Sequence, residues 1–287
     1  MMGGDLKITA ATGLYGVIGS PVSHSLSPVM QTSALKALGI DACYLAFDVG
    51  GEALADALKG AYALGVRGLN ITVPHKVSAL ALSTEADITA SATGAANTLV
   101  RCAGGWRAHN TDVEGFSGAI VRELGFKPSS KGFVVGGGGA ARAAVLGYAS
   151  LGVEEIYITG RNPSRIEEVV SELSGAAGKS SLSFLPLAEL PAKAKPGDLV
   201  ASATPLGLSP DGRWPWELEK LDKGVLLYDM AYMPGGSSLE KEAKLAGLKV
   251  TSGLSMLLLQ GAAALWLWTG LEPPVKVMEQ ALYEGAQ

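Results

Sequence analysis

Residues 131–142 read Lys-Gly-Phe-Val-Val-Gly-Gly-Gly-Gly-Ala-Ala-Arg, and they indicate the architecture of the second half of the chain. The apolar run at 131–135 predicts a short buried strand, and the alanine-rich run at 140–152 predicts a helix. Glycines between such a strand and such a helix are typical of the first turn in a βαβ unit. The stretch therefore predicts an α/β domain with a parallel sheet.

The glycine loop has the spacing of a dinucleotide-binding fingerprint, with Gly136, Gly138 and Ala141 at its three small positions. The first permits a tight turn, the second lets the backbone approach a pyrophosphate, and the third lets the helix lie close to the sheet. The first amides of the helix would then face the anion. We predict that a dinucleotide binds this loop, against Gly136, Gly137, Gly138, Gly139 and Ala140.

The strand predicted at 155–159 is followed by Gly160-Arg161-Asn162-Pro163-Ser164-Arg165. NAD-binding domains usually have an Asp or Glu at the end of this strand, where it accepts hydrogen bonds from the ribose. This chain has no carboxylate there, whereas Arg161 and Arg165 follow, and guanidinium groups suit a 2′-phosphate. The alternative is that both arginines only flank the start of a helix, although cations there oppose the helix dipole. The pattern favours NADP.

Predicted strands and helices alternate along the chain, which is the pattern of α/β domains. Before residue 112 the predicted elements are strands at 14–19, 44–49 and 70–73 and helices at 27–38 and 54–64. After it, they are a helix at 113–124 and strands at 131–135, 155–159, 198–203, 225–229 and 249–251. Two C-terminal segments, 254–268 and 274–283, have no strand between them and are expected to pack back on the first domain. The expected domains are residues 1–111 plus 253–287 and residues 112–252.

Composition excludes several classes of function. The chain has 287 residues, 48% hydrophobic and 17% charged, which is enough for a sizeable core. Its formal net charge of −4 gives no sign of the excess of basic residues that binds nucleic acid or an anionic membrane. Cys43 and Cys102 have no CxxC spacing, and the three histidines are scattered. We therefore expect neither a disulfide framework nor a metal site.

The run at 254–268 is strongly apolar, but it is shorter than a comfortable membrane span of ~20 residues and contains Ser255 and Gln260. A buried helix is the better interpretation. The N-terminus lacks the pattern of a signal peptide. We therefore expect a soluble, cytoplasmic protein that binds a small molecule, with neither nucleic acid nor membrane as a partner.

A second signal comes from four short segments dense in polar side chains, at 23–27, 70–76, 94–98 and 110–112. In the second segment, Asn-Ile-Thr-Val-Pro-His-Lys, a strand with polar residues on one face runs into Pro74, which ends the strand ahead of Lys76. Each segment alone has an ordinary explanation, because most lysines are solvated and Ser, Asn and Thr are common in turns and caps. Together they predict a pocket for a polyhydroxylated acid.

Eight motifs follow one another along the chain: SHSLSP, NITVPHK, GAANT, NTDVEGF, GGGGAAR, GRNPSR, DMAYMPG and GLSMLLLQGAAA. In this order the sequence resembles the shikimate dehydrogenases, within the shikimate/quinate dehydrogenase family. The resemblance covers residues 14–282. The serine, lysine and NTD motifs together are highly specific, whereas the glycine loop is generic.

The resemblance implies an N-terminal substrate-binding domain, a Rossmann-type NADP-binding domain, and C-terminal helices that return to the first domain. It implies oxidation of the C3 hydroxyl of shikimate with NADP or, in chorismate and aromatic amino-acid biosynthesis, reduction of 3-dehydroshikimate with NADPH. The implied contacts to the substrate carboxylate are Ser25, Ser27 and Tyr232, and those to the ring hydroxyls are Asn70, Thr72, Asn97, Asp112 and Gln260. The implied cofactor contacts beyond the glycine loop are Arg161, Asn162, Arg165, Thr204, Met230 and Gly253.

Lys76 and Asp112 are the catalytic pair that the resemblance implies. Hydride transfer from an alcohol carbon requires the hydroxyl proton to leave, and an acid/base group within hydrogen-bond reach provides the route. A lysine suits this task when partial burial eases the loss of its proton and a carboxylate orients it. The alternative for Asp112 is an ordinary N-cap of the helix at 113–124, a role that we likewise predict for Ser27 ahead of Pro28.

Two residues depart from the family pattern, and three other interpretations stay open. Gly160 replaces an asparagine of many NADP-dependent members, and Leu26 replaces a frequent lysine at the pocket rim. The first alternative is a quinate/shikimate dehydrogenase that uses NAD or NADP. The second is a non-catalytic, shikimate-binding regulatory relative, and the third is another two-domain dehydrogenase, such as one acting on folates. The sequence leaves the oligomeric state open between monomer and homodimer.

Overall fold

Two six-stranded sheets organise the computed structural model, which describes residues 8–233 and 235–286. The strands of the first sheet are β1 (Gly13–Gly19), β2 (Ala42–Asp48), β3 (Gly68–Ile71), β4 (Glu85–Ala86), β5 (Thr98–Cys102) and β6 (Gly105–His109). Those of the second sheet are β7 (Gly132–Val135), β8 (Glu155–Thr159), β9 (Ser181–Phe184), β10 (Leu199–Ser202), β11 (Leu226–Asp229) and β12 (Lys249–Ser252). The chain completes one sheet before it begins the other.

Helices connect and cover these strands. The α-helices in the described part of the chain are α1 (Ser27–Ala37), α2 (Leu54–Ala63), α3 (Lys76–Ala81), α4 (Ile88–Thr93), α5 (Asp112–Leu124), α6 (Gly139–Ser150), α7 (Pro163–Leu173), α8 (Leu190–Lys193), α9 (Ser238–Leu245), α10 (Leu254–Thr269) and α11 (Val275–Gly285). Short 3₁₀ turns lie at Gly51–Ala53, Leu187–Glu189, Pro205–Leu208 and Leu218–Lys220.

The second sheet is parallel throughout, in the order β12-β11-β10-β7-β8-β9. Phe133, Val134 and Val135 of its central strand β7 are at most 3% exposed, because both faces of a parallel sheet are covered. The strand order reverses between β7 and β10, and α/β sheets bind ligands in the crevice at such a switch point. The predicted Rossmann-type fold is confirmed.

The first sheet is mixed, in the order β2-β1-β3-β5-β6-β4. Strand β1 pairs in parallel with β2 and β3, whereas β5 and β6 form an antiparallel hairpin beside β3. The sequence pattern does not predict this hairpin, because the exposed Arg101 and Arg107 interrupt its apolar residues. Strand β3 also ends at Ile71, two residues before the predicted end, and Val73 beyond it is 65% exposed.

Helices α10 and α11 return to the first sheet, as expected. Leu258 and Leu265 of α10 and Met278 of α11 share a buried core with Val17 of β1 and Met30 of α1. The apolar run predicted as a buried helix is therefore the link between the C-terminus and the first sheet. Within residues 8–233 and 235–286, no helix is long and apolar enough to cross a membrane.

The predicted N-cap at Ser27 is wrong, and the structure does not support the alternative N-cap role of Asp112. Helix α1 begins at Ser27 itself, after Leu26 with helical backbone angles, and the Ser27 amide donates to Ser25 Oγ at 3.3 Å. Helix α5 begins at Asp112, after Thr111, and the Asp112 carboxylate bonds to other side chains. Neither side chain bonds to an amide of the first turn of its helix.

Candidate active site

A cleft of about 400 Å³ is lined by residues that follow strands of both sheets. Loops after β1 and β3 contribute from the first sheet, and loops after β10 and β11 contribute from the second. All of these loops lie at the carboxyl ends of parallel strands, where α/β proteins bind ligands. The cleft brings together every residue predicted for substrate binding or proton transfer, namely Ser25, Ser27, Asn70, Thr72, Lys76, Asn97, Asp112, Tyr232 and Gln260.

Lys76 and Asp112 form an ion pair in this cleft. The Lys76 Nζ lies 2.5 Å from Asp112 Oδ2, and the two side chains are 14% and 6% exposed. Each is the first residue of its helix, α3 and α5 respectively, so the backbone fixes where each side chain starts. A partly buried ammonium beside a carboxylate is held in place and can exchange a proton with a ligand within hydrogen-bond reach.

The amide of Asn97 holds the second oxygen of Asp112. Asn97 Nδ2 donates to Asp112 Oδ1 at 2.9 Å, to Thr111 Oγ1 at 3.0 Å and to Gln260 Oε1 at 3.2 Å. Its Oδ1 accepts from the amide of Thr111 at 2.7 Å. Asn97 is 2% exposed, and a buried polar network of this kind is rigid when its members are satisfied. Asp112 is therefore held through both oxygens.

Asn70 supports the same network from β3. Its Nδ2 donates to the carbonyl oxygen of Asn97 and to Thr98 Oγ1, both at 3.1 Å. Its Oδ1 accepts from the Tyr44 hydroxyl at 2.7 Å. Burial raises the pKa of Tyr44 well above its ordinary value, so this hydroxyl stays protonated and donates. Sequence reasoning missed Tyr44, because an aromatic residue within a strand is normally part of the core.

Three hydroxyl groups gather where α1 begins. Ser25 and Ser27 follow β1, and Tyr232 lies on the loop after β11. Burial raises the pKa of Tyr232, an effect that hydrogen bonding with the Leu26 backbone and the Ser25 side chain opposes. The Tyr232 hydroxyl therefore remains a donor at neutral pH. Leu26, where the family often has lysine, is 8% exposed and packs in the core.

The glycine loop leaves space for a phosphate group in front of α6. Gly136 has a φ of +126°, and a Cβ there would lie 2.9 Å from the Ala203 carbonyl oxygen, so only glycine fits. Apart from its chain neighbours, no described residue has an atom within 4 Å of where a Gly138 Cβ would be. This open space faces the N-terminus of a twelve-residue helix, whose first amides lack partners within the helix. These features fit a pyrophosphate.

The glycine loop also reaches the ion pair. A Cβ on Gly139 would lie 3.3 Å from both Cβ and Cδ of Lys76. Of the residues predicted to bind the cofactor, four line the cleft together with Lys76, namely Ala140, Thr204, Met230 and Gly253. The start of the helix that fits a dinucleotide and the start of the helix that carries Lys76 are therefore in contact.

The residues predicted for the 2′-phosphate lie beyond the cleft lining, after β8. Arg161 is exposed and forms no ion pair with any residue in the described ranges. Asn162 caps α7, since its side chain accepts from the Arg165 amide at 3.2 Å. Arg165 Nη1 lies 2.7 Å from Glu168 Oε2 on the same helix. Arg161 therefore has its guanidinium free for an anion.

Two of the three histidines bond to groups outside the cleft lining, whereas His24 lines the cleft. His75 Nε2 lies 2.7 Å from the Val49 carbonyl oxygen, and His109 Nδ1 lies 2.9 Å from Asp87 Oδ2. Across residues 8–233 and 235–286, no group of three or more His, Cys, Asp or Glu side chains is arranged to hold a metal ion.

Known proteins match the chain over its whole length. The family description "Shikimate dehydrogenase substrate binding domain" matches residues 17–99, and "Shikimate 5'-dehydrogenase C-terminal domain" matches residues 253–283. The shikimate dehydrogenase (NADP(+)) of Methanopyrus kandleri is 40% identical over 284 residues, covering 98% of this chain and 98% of the relative. The similarity therefore includes both sheets.

Two solved structures have a similar overall fold. Shikimate 5-dehydrogenase from Thermus thermophilus, in complex with NADP(H) and shikimate, has a TM-score of 0.84 and 35% identity, and covers 96% of this chain and 100% of that chain. Quinate dehydrogenase from Corynebacterium glutamicum, in complex with NAD, has a TM-score of 0.84 and 30% identity, and covers 95% of this chain and 99% of that chain.

Proposed function

The chain belongs to the shikimate dehydrogenase family, and we propose that it catalyses the reversible, NADP-dependent conversion of shikimate into 3-dehydroshikimate. In the biosynthetic direction this is the reduction of 3-dehydroshikimate on the route to chorismate and the aromatic amino acids. The observation that carries the proposal is the ion pair of Lys76 and Asp112, 2.5 Å apart, in a cleft that the glycine loop also reaches.

Lys76 carries the proton of the reacting hydroxyl in the proposed mechanism. NADP, when bound, accepts the hydride from the alcohol carbon. The amine of Lys76 accepts the hydroxyl proton, and in the reverse direction its ammonium returns the proton to the carbonyl oxygen. Asp112 orients Nζ and stabilises the ammonium that forms, while Asn97 keeps the Asp112 carboxylate from turning away.

The remaining polar residues of the cleft bind the substrate in this proposal. The hydroxyls of Ser25, Ser27 and Tyr232 donate to the carboxylate, which suits an anion because each is a donor. The ring hydroxyls are held by short side chains that both donate and accept or only accept, namely Asn70, Thr72, Asn97, Asp112 and Gln260. Four of these five side chains are buried, all except the half-buried Thr72, which supports a role in holding a ligand in a fixed position.

The residues proposed to bind the cofactor come after strands of the second sheet. The pyrophosphate lies against the glycine loop, Gly136, Gly137, Gly138, Gly139 and Ala140, at the N-terminus of α6. Arg161 and Arg165 bind the 2′-phosphate beside Asn162, and the exposed guanidinium of Arg161, which has no ion-pair partner in the described ranges, supports this role. Thr204, Met230 and Gly253 contact the part of the cofactor that enters the cleft.

Two further assignments accompany this function. We assign residues 1–111 plus 253–287 to the substrate-binding domain and residues 112–252 to the NADP-binding domain. Residues 1–7, 234 and 287 of these ranges lie outside the described part of the chain, and the membership of the two sheets supports the division for the rest. The protein works in the cytoplasm, as a monomer or homodimer, on a small-molecule substrate. Fractionation of cells and sedimentation of the purified protein test where it works and how it assembles.

The test of the function is initial-rate oxidation, followed at the nicotinamide absorbance, with shikimate and quinate each combined with NADP and NAD. We expect activity largely confined to shikimate with NADP. Comparable rates with quinate or NAD would instead identify a quinate/shikimate dehydrogenase. Folded protein that binds shikimate but oxidises neither substrate would identify a non-catalytic regulatory relative.

A further inference from the structure

Arg142 is a buried cation one turn into α6, beyond the residues proposed to bind NADP. Its side chain is 7% exposed, and its Nη2 pairs with Glu172 Oε2 of α7. Its Nη1 donates to the Thr93 carbonyl oxygen at 3.3 Å. Because burying a charge is costly unless the charge is paired, these two partners explain where the guanidinium lies.

The two partners belong to different halves of the molecule. Glu172 is on α7, which packs on the second sheet. Thr93 is the last residue of α4, which packs on the first sheet. The last carbonyl groups of a helix carry partial negative charge, which suits a guanidinium. Gly94 follows with a φ of +63°, and a Cβ there would lie 3.1 Å from Arg142 Nη1. Glycine thus leaves room for the close approach.

Thr93 leads directly into the loop that supports the ion pair. Its hydroxyl lies 2.9 Å from the Ala95 carbonyl oxygen, one of three carbonyl oxygens within its hydrogen-bond reach, and Asn110 Nδ2 donates to Thr93 Oγ1 at 3.0 Å. The amide of Ala96 donates to the Lys76 carbonyl oxygen at 2.8 Å. The next residue is Asn97, which holds Asp112. The Thr93 carbonyl is therefore linked to Lys76 and Asp112 by a short segment of chain, residues 93–97, that hydrogen bonds hold in place.

We propose that Arg142 is a positioning residue, which holds the cofactor-binding helix α6 against the loop that supports Lys76 and Asp112. This inference rests on the proposed function and deepens it. Helix α6 contacts this region at its first residue, Gly139, which lies against Lys76 and Ala95, and one turn later at Arg142, which lies against Thr93. Two contacts restrict rotation as well as distance, and hydride transfer is sensitive to both.

The test compares three variants of the full chain. R142M removes both contacts. The double variant R142M/E172M also removes the carboxylate, so it leaves no unpaired charge if R142M fails to fold. E172Q is the matched control, because it removes the ion pair but keeps the contact between Arg142 and Thr93. Single-turnover hydride transfer is measured at saturating shikimate and NADP, and the Kd of each ligand and the Tm are measured separately.

We expect hydride transfer to slow by ~10-fold or more in R142M and in R142M/E172M, while each Kd and the E172Q rate stay within ~2-fold of the wild type. A wild-type rate in folded R142M/E172M would overturn the inference. An equal loss of hydride-transfer rate in E172Q would also overturn it, because it would indicate a role through stability. A rise in the NADP Kd in proportion to the loss of rate would do the same, because it would make Arg142 a binding residue.

The wild type separates this inference from the proposed function. A wild type that oxidises no shikimate would overturn the proposed function as well, whereas an active wild type with unaffected variants would overturn only this inference.

Discussion

The substrate end and the cofactor end of the site differ in how much of their hydrogen bonding is complete without a ligand. At the substrate end, Asn97 and Asp112 are 2% and 4% exposed and bond to each other at 2.9 Å. At the cofactor end, Arg161 and Arg165 are exposed, and Arg165 bonds to Glu168 on its own helix.

This difference fits the two tasks that we propose for these residues. Proton transfer requires a donor and an acceptor that are aligned before the substrate arrives, and a buried polar network supplies that alignment. A 2′-phosphate attracts guanidinium groups over several ångströms, so its ligands can stay solvated until the cofactor binds. Substitutions at the substrate end should therefore change turnover, and substitutions at the cofactor end should change affinity.

Removing the amine of Lys76 should have the largest effect. We expect Lys76→Ala to lower kcat by ~10²–10⁴-fold, the usual contribution of a general acid/base, and to raise the shikimate Kd much less. Steady-state kinetics and calorimetric titration of shikimate measure the two quantities. The control is Lys76→Arg, which keeps a cation beside Asp112 but does not release a proton at ordinary pH. Near-normal turnover in either variant would contradict Lys76 as the proton carrier.

Removing the guanidinium of Arg161 should have a smaller effect, and on the cofactor alone. We expect Arg161→Ala to raise the NADP Kd by ~10–100-fold and to leave the NAD Kd nearly unchanged, since hydrogen bonds to charged groups contribute ~1.5–3 kcal/mol. Arg165→Ala is the matched variant and should cost less, because Arg165 already pairs with Glu168. Calorimetric titration with both cofactors measures the effect, and equal weakening of NADP and NAD would contradict the assignment.

Asp229 lies beneath the cofactor side of the cleft, at the end of β11 and directly before Met230. It is fully buried, and burial raises its pKa to about 6, an effect that hydrogen bonding with Ser237 and with the Ala231 amide opposes and that the charge of Glu240 increases. A raised pKa means that the folded protein binds this proton more tightly than the unfolded chain. The resulting stabilisation is present below pH ~4 and is lost as the pH rises through about 6.

The substitution Asp229→Asn should therefore have the smallest effect on activity and a measurable effect on stability. Between pH 4 and pH 7, the free energy of unfolding of the wild type should fall by up to ~3 kcal/mol relative to the variant, because one pKa unit corresponds to ~1.4 kcal/mol. Urea unfolding at both pH values measures this difference, in which groups common to both proteins cancel. A difference that does not depend on pH would contradict the raised pKa.

Local patterns were sufficient for much of the second sheet. Strands β7 and β8 are rich in buried residues, and glycines follow each of them in the sequence, so the strand–loop–helix unit was predictable. Strand β9 was not, because Ser181–Phe184 alternates exposed and half-buried residues at the sheet edge and carries little apolar signal. The β5–β6 hairpin was not predicted for a similar reason, because exposed arginines interrupt its apolar pattern.

Short-range patterns were enough to predict the α/β class, the dinucleotide loop and the set of candidate polar residues, because strands, glycine turns and helix starts depend on neighbours a few positions away. Such patterns alone could not predict how the polar residues pair, and the pairing of Lys76 with Asp112 was expected only from the resemblance to the family. Lys76 and Asp112 are 36 positions apart, and Arg142 and Thr93 are 49 positions apart. Each pair meets only in the folded chain, because such contacts depend on how whole sheets and helices pack, which patterns over a few residues do not encode.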